Sequence, residues 1–194
     1  MEKIKKEHAE MELKFLKTQI NPHVLFNNLN TIYSYALEKP AETPELILML
    51  SNNLKHVLYE SNETMVALEK EIEFIDNYIK FQKLRTEGVK TIKYTKQMDT
   101  LQHHIAPLLL ITIIENAFKH SVLNSEISIE ITVKKGKLKL ICENDFDNLK
   151  NETIQQKIGL KNLEKRLNLL YKGNYELQVN KMNSFSVTLL INLE

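Results

Sequence analysis

A single hydrophobic register runs through the first third of the chain's helical region. Ile4, His8, Met11, Phe15, Thr18, Pro22, Leu25, Leu29, Ile32 and Ala36 follow one another in alternating steps of four and three. That is a heptad seam, and a helix carrying it needs a partner helix to cover it. The seam is imperfect at His8, Thr18 and Pro22. The stretch around Pro22, Thr18 to Asn30, reads T-Q-I-N-P-H-V-L-F-N-N-L-N. Asparagine is a poor helix former and an internal proline removes a backbone hydrogen bond, so helix stability alone does not account for this composition. On a helix, Gln19, His23, Asn27 and Asn30 share one polar stripe beside the seam. Alone, His23 reads as a solvated surface imidazole; the competing reading is a presented nucleophile, which needs support elsewhere in the chain.

The seam ends at E-K-P-A-E-T-P, where Thr43 can cap a second helix with Pro44 at its first position. That helix, Pro44 to Tyr59, puts Leu46, Leu50, Asn53 and Val57 on one face. Two helices joined by a short loop form an antiparallel hairpin, and one hairpin buries too little to stand alone. A homodimer closing a four-helix bundle is therefore expected. The expected domain boundary follows, with a helical hairpin over 1–64 and an α/β layer over 65–194.

In the second part, Leu68 to Arg85 is helical, with Leu68, Ile72, Ile75 and Ile79 inward and Gly88 as the stop. Val89 to Lys96 reads as a strand, and Pro107 opens an apolar helix from Leu108 to His120. Ile127, Ile129, Ile131 and Val133 alternate with polar residues, and Lys135-Gly136 turns the chain into a strand through Leu138, Leu140 and Cys142. Asp145 to Lys157 reads as a polar loop, Ile158 to Tyr171 as a helix, and Gly173-Asn174 leads into a last hairpin. The fold class is α+β, a mostly antiparallel sheet with helices on one face.

Bulk properties narrow the function. Lys and Arg number 26 against 25 Asp and Glu, a net charge of +1 without a basic run, so nucleic acid is not the expected partner. Cys142 is the single cysteine, which excludes an intramolecular disulfide and a cysteine-based zinc site. No apolar run reaches the ~18–20 residues that span a bilayer. The charged start, M-E-K-I-K-K-E-H-A-E, is unlike a signal peptide and begins in mid-pattern, as if a segment preceded it.

Two further motifs carry chemistry. On the apolar helix, Glu115, Asn116, Lys119 and His120 cluster on one side, where unpartnered burial would be costly. An amide oxygen suits Mg²⁺, and a lysine one turn on suits phosphate. A helix end reaching solvent is the plainer alternative. In the segment Lys157 to Tyr171, Gly159 stands at the expected start of the C-terminal helix, where backbone N–H groups could meet an anion. A simple turn explains it equally well.

In this order, the three stretches resemble one family, the LytS-type sensor histidine kinases of two-component systems. Gln19 to Asn30 matches the family's phosphoacceptor box Q-I-N-P-H-F-L-F-N-x-L-N except at Val24, Pro107 to His120 matches most of its N-box, which ends E-N-A-x-K-H, and Leu68 to Arg85 is similar to its linker helix. The resemblance implies a phosphotransfer hairpin followed by a GHKL or Bergerat-type ATP-binding domain. It implies that His23 accepts the γ-phosphoryl of ATP, that Asn116 holds Mg²⁺, and that Lys119 and His120 lie along the phosphates. Glu143, Asn144, Gly159 and Leu160 would complete the nucleotide pocket, with Asp145 to Lys157 as its lid.

Departures accompany the match. Glu143 stands where the family's adenine-contacting Asp is expected, Asp145 where a glycine is expected, and Lys157 at the first glycine of the second glycine box. They predict weakened nucleotide binding. Val24 follows His23 where many histidine kinases carry an acid, and Thr112 stands where water-activating GHKL ATPases carry a glutamate. Glu115 is left as a candidate proton acceptor and Asn27 as a candidate for orienting a water. The expected function is autophosphorylation of His23 from Mg-ATP and transfer to a response-regulator receiver domain, in a cytoplasmic chain belonging to an inner-membrane sensor. A nucleotide-impaired dimeric scaffold that docks the regulator, or a GHKL-type ATPase, are the alternatives.

Overall fold

The computed structural model describes residues 22–59, 63–146, 154–182 and 184–193. Gln19 and the seam from Ile4 to Thr18 lie outside them. Helices α1 (Pro22–Glu38) and α2 (Thr43–Tyr59) form the expected hairpin. Their turn is closed by Lys39 N–H donating to Tyr35 O at 2.7 Å and Glu42 N–H to Lys39 O at 3.0 Å. Thr43 does not cap α2 as expected: its hydroxyl donates backward to Lys39 O at 3.4 Å. The inward face of α2 carries Leu46, Met49, Leu50 and His56.

A short strand β1 (Val66–Ala67) leads into α3 (Leu68–Arg85), which has the predicted bounds. Helix α3 is buried on two sides. Leu68, Ile72, Ile75 and Ile79 join the main core, while Phe81 packs with Leu46 and Met49 of α2. Tyr35 on α1 reaches the end of α3, its hydroxyl donating to Leu84 O at 3.1 Å.

Strand β2 (Thr91–Met98) follows, then β3 (His104–Ile105), which pairs with β1, and α4 (Leu109–His120). Strands β4 (Glu126–Lys134) and β5 (Lys137–Asn144) form a hairpin turned by Lys135 and Gly136, both at positive φ. Helix α5 (Ile154–Leu170) and the hairpin of β6 (Tyr175–Lys181) and β7 (Phe185–Asn192) complete the chain. The sheet order is β2-β4-β5-β7-β6, parallel between β2 and β4 and antiparallel elsewhere. Parallel neighbours need a crossover, and α4 supplies it, which lays this helix against the sheet.

The core lies between the helices and one sheet face. Ile127, Ile129, Ile131 and Val133 of β4 and Leu138, Leu140 and Cys142 of β5 point into it. Leu109, Leu110, Ile113 and Ile114 of α4 meet them, each exposed by 1% or less. The α+β class with its mostly antiparallel sheet and helical hairpin is thus observed. One helix boundary differs: α5 begins at Ile154, so residues 154–157 of the expected loop are helical. Among the described residues no helix is long and apolar enough to cross a membrane.

Candidate functional site

Helix α4 divides sharply. Its apolar side is packed into the core, whereas Thr112, Glu115, Asn116, Lys119 and His120 remain partly or largely exposed along the other side. Positions three and four apart share a helix face, so these form one polar stripe. The four candidates Glu115, Asn116, Lys119 and His120 are therefore brought together by local geometry.

Tertiary packing adds Gly159. The sequence places it at the start of a helix, but it lies more than one turn inside α5, where its N–H belongs to the helical ladder. The anion cradle expected at this glycine is not there. What the glycine provides is a close approach: a Cβ built on it would stand 3.4 Å from both Nδ2 and Oδ1 of Asn116. The Asn116 amide nitrogen is buried without a hydrogen-bond partner. Leu160, next along α5, packs against the main core. Gly159→Ala separates stability from binding. Alanine favours a helix interior by about 0.5–1 kcal/mol, so the melting temperature is expected to hold or rise. The added methyl fills the space beside Asn116, and calorimetry is expected to find Mg-ATP binding weakened by about tenfold.

The end of β5 lies against the C-terminal end of α4, where Val122 N–H donates to Asp145 O at 3.4 Å. Glu143 does not face this region. Burial alternates along β5, so Leu138, Leu140, Cys142 and Asn144 face the helices while Glu143 is exposed on the opposite side. There Glu143 accepts a hydrogen bond from the Ser184 hydroxyl. A one-residue offset in a strand reverses the face, so Asn144, and not Glu143, is the residue turned toward the helices. Its amide donates to Asp145 O at 2.9 Å, and its Oδ1 is buried without a partner.

The electrostatics distinguish the polar groups. Glu115 is reached by solvent. Surrounding protein still strips enough hydration to push its carboxyl up to about 7, against an opposing pull from Lys119. Burial, then the neighbouring Lys119 charge, pushes the His120 imidazole down to about 4. His120 is neutral at pH 7, with a buried Nε2 that has no partner. Lys90 steadies the end of the helix, its Nζ donating to Phe118 O at 3.3 Å and Ser121 O at 3.2 Å.

His120 makes stability depend on pH. An unfolded histidine takes up a proton near pH 6.5, whereas in the fold His120 stays neutral to about 4. Its contribution is complete above about 6.5 and is lost as pH falls toward 4. Wild type is expected to lose about 1–3 kcal/mol relative to His120→Gln across that window and nothing relative to it above pH 7. Denaturant titrations at a series of pH values test this.

The remaining candidates, His23 and Asn27, lie one turn apart on α1. Asn27 is half-buried, and its carbonyl accepts from the Thr31 hydroxyl at 3.0 Å. The α4 stripe and the α1 pair thus sit on different elements. Sequence reasoning overlooked Glu71, His56 and Arg166, which are polar yet buried. Glu71 carried a signal, because it falls on the same helical face as Leu68 and Ile75.

The described residues contain no group of three or more His, Cys, Asp or Glu able to hold a metal. An amide oxygen beside a lysine, as Asn116 Oδ1 offers, fits instead a cation that arrives with phosphate oxygens and keeps some of its water, which is the preference of Mg²⁺. Asn116 fits that role.

Residues 11–89 match the family model described as Histidine kinase. The chain is 26% identical over 186 residues to Sensor protein LytS of Staphylococcus saprophyticus, covering 88% of this chain and 32% of that protein. It is 29% identical over 124 residues to Sensor protein LytS of Bacillus subtilis, covering 64% and 21%. With Sensor protein kinase HptS of Staphylococcus aureus it shares 25% over 193 residues, covering 89% and 37%. The chain therefore spans about a third or less of the length of two of these relatives, and somewhat more of the third. Among solved structures, the fold is similar to the catalytic domain of histidine kinase ThkA, with a TM-score of 0.50, 14% identity and coverage of 67% of this chain and 97% of that one. It is also similar to a bacterial phosphotransferase, with a TM-score of 0.54, 6% identity and coverage of 92% and 96%. At these identities the likeness concerns the fold.

Proposed function

We propose that this chain, which is homologous to the LytS-type sensor histidine kinases, transfers the γ-phosphoryl group of ATP to His23 and then to an aspartate of a response-regulator receiver domain. The observation that carries the nucleotide half is the α4 stripe, where the Asn116 side-chain amide lies against Gly159 on the same helix face as Lys119 and His120, its Nδ2 free to donate and its Oδ1 able to meet a cation. Asn116 would hold Mg²⁺, which when bound draws negative charge from the phosphate oxygens. Lys119 adds positive charge along the phosphates, and neutral His120 offers a hydrogen bond without a second charge. Asn144 turns its amide toward the helix layer, where its Oδ1 can accept from an exocyclic amine.

The acceptor half rests on chemistry. A histidine near its ordinary pKa of about 6.5 is mostly neutral at pH 7, so a ring nitrogen carries a free electron pair. That pair forms the N–P bond while the bond from phosphorus to the β,γ-bridging oxygen breaks and ADP leaves with its electrons. The reaction asks mainly for alignment and charge stabilisation. Glu115, poised near neutrality, is assigned the proton released from the imidazole. Asn27 is assigned a water for removal of phosphate from the regulator.

Homodimerisation belongs to the same reading. Phe26, Leu29, Tyr33 and Leu37 on α1 and Ile47 and Leu48 on α2 are 47–68% exposed, an apolar surface that a second hairpin would cover. The proposed units are the hairpin over 1–64 and the nucleotide domain over 65–194, both at the cytoplasmic side of a membrane sensor. Incubation with labelled Mg-ATP tests the function. Acid-labile, base-stable phosphate on the chain, transferable to a receiver domain, is expected. Nucleotide binding without labelling overturns the kinase reading in favour of a docking scaffold. Steady phosphate release without labelling overturns it in favour of an ATPase.

A further inference from the structure

Three consecutive residues launch helix α4, and each is held by a buried side chain from elsewhere. Ala106 N–H donates to the Tyr171 hydroxyl at 2.7 Å. Pro107 O accepts from Arg166 Nη2 at 2.6 Å, and Leu108 N–H donates to Glu71 Oε2 at 3.1 Å. Leu108 itself is left-handed, with φ of 57°. That conformation costs a non-glycine residue about 1–2 kcal/mol, so it persists only where surrounding contacts impose it.

Glu71 does a second thing with the same oxygen. Its Oε2 lies 3.2 Å from His56 Nε2, on the hairpin helix α2. The carboxylate accepts, so the imidazole proton sits on Nε2. The His56 ring also stacks on Phe74, with centroids 4.5 Å apart and planes 14° apart. Glu71 is 0% exposed and His56 6%. One buried oxygen is therefore shared between the docked hairpin and the turn that starts the helix carrying Asn116.

Two atoms in this layer are left over, and they are opposite in kind. Glu71 Oε1 is a buried acceptor without a donor, and Arg166 Nε is a buried donor without an acceptor. A buried carboxylate and guanidinium with unused hydrogen-bonding capacity have a second arrangement available, the direct pair. A carboxylate that swings toward Arg166 gives up the Leu108 N–H, which loosens the turn.

We propose that Glu71 is a positioning residue that couples the docking of the hairpin, through His56, to the placement of α4 and hence to the nucleotide pocket. With His56 docked, Glu71 Oε2 is steadied and the Leu108 turn is held. When the hairpin leaves α3, Glu71 turns toward Arg166 and the turn relaxes. This rests on the reading of the α4 stripe as a Mg-nucleotide site, and names the element through which coupling would act: one buried carboxylate with two alternative partners.

The test is a double-mutant cycle on the full chain with His56→Phe, which keeps the stack on Phe74, and Glu71→Gln. Calorimetry reads the Kd of a Mg-bound non-hydrolysable ATP analogue, and hydrogen exchange reads the backbone amides of residues 106–112. His56→Phe is expected to weaken the analogue by about fivefold or more and to speed exchange at Leu108. In the Glu71→Gln background the same substitution is expected to add nothing. His56→Gln, whose amide still donates, is expected to restore both readouts. Unchanged Kd and exchange in a folded His56→Phe chain overturn the proposal, as does an equal effect in both backgrounds. A wild-type chain that binds no nucleotide overturns the kinase reading alone, because exchange at Leu108 still decides the coupling.

Discussion

Replacing His23 by Gln is expected to abolish labelling by Mg-ATP, a loss of at least about 100-fold, while nucleotide affinity stays within about twofold of wild type. Glutamine keeps polarity and approximate length, so α1 is preserved, but an amide nitrogen has no electron pair free to attack phosphorus. Phosphate on an imidazole nitrogen is acid-labile because protonation makes the ring a good leaving group, and it survives base. Autoradiography after acid and base treatment reads the chemistry, and calorimetry reads the affinity. Label that persists in His23→Gln places the acceptor elsewhere and removes the role of the asparagine-rich box.

Asn116→Ala is the complementary case. It is expected to weaken Mg-nucleotide binding by about 100-fold and to remove the dependence of binding on Mg²⁺, with labelling lost as a consequence. The amide is held against Gly159 and makes no other hydrogen bond through Nδ2, so truncation strands no partner. Its removal takes away a cation ligand without opening the apolar side of α4, and the melting temperature is expected to change little. Calorimetric titrations with and without Mg²⁺ check this. The two variants divide the reaction: one loses the acceptor and keeps the nucleotide, the other loses both. Unchanged Mg-dependent binding in Asn116→Ala moves the cation site away from α4.

The same comparison separates the kinase from its alternatives. A scaffold with degraded glycine positions would bind nucleotide poorly in wild type and respond to neither substitution. An ATPase would release phosphate in His23→Gln. The exposed Glu143 bears on the first of these, because its carboxylate lies on the sheet face away from α4, while Asn144 is turned toward the helices.

Much of this architecture was legible in the residues, for local reasons. Helix α3 follows its predicted bounds because a 3.6-residue apolar period, an acidic first turn and Gly88 all act within the segment. The hairpin of β4 and β5 follows from strict alternation and a turn at Lys135-Gly136. The four polar residues of α4 share a face because their spacing demands it. The asparagine-rich box and the E-N-A-F-K-H run are equally local, which is why family resemblance could be read from them. The face of Asn144 was also within reach, since the alternation through Leu138, Leu140 and Cys142 continues onto it.

What the tertiary structure decided lies between segments distant in the chain. Whether Gly159 serves as an anion-binding turn or as a close contact depends on Asn116, and nothing near the glycine encodes that approach. The start of α5 at Ile154 puts it more than one turn inside the helix and not at the helix start. The shared oxygen of Glu71, between His56 and Leu108, depends on three elements meeting in one buried layer. A charge on an apolar helical face signals that some partner exists, but the partner is chosen by packing. The sequence by itself determined the periods, the motifs and the asparagine-rich stretch around His23; the three-dimensional fold decided which polar groups meet, because hydrogen bonds between distant segments follow position in space rather than spacing along the chain.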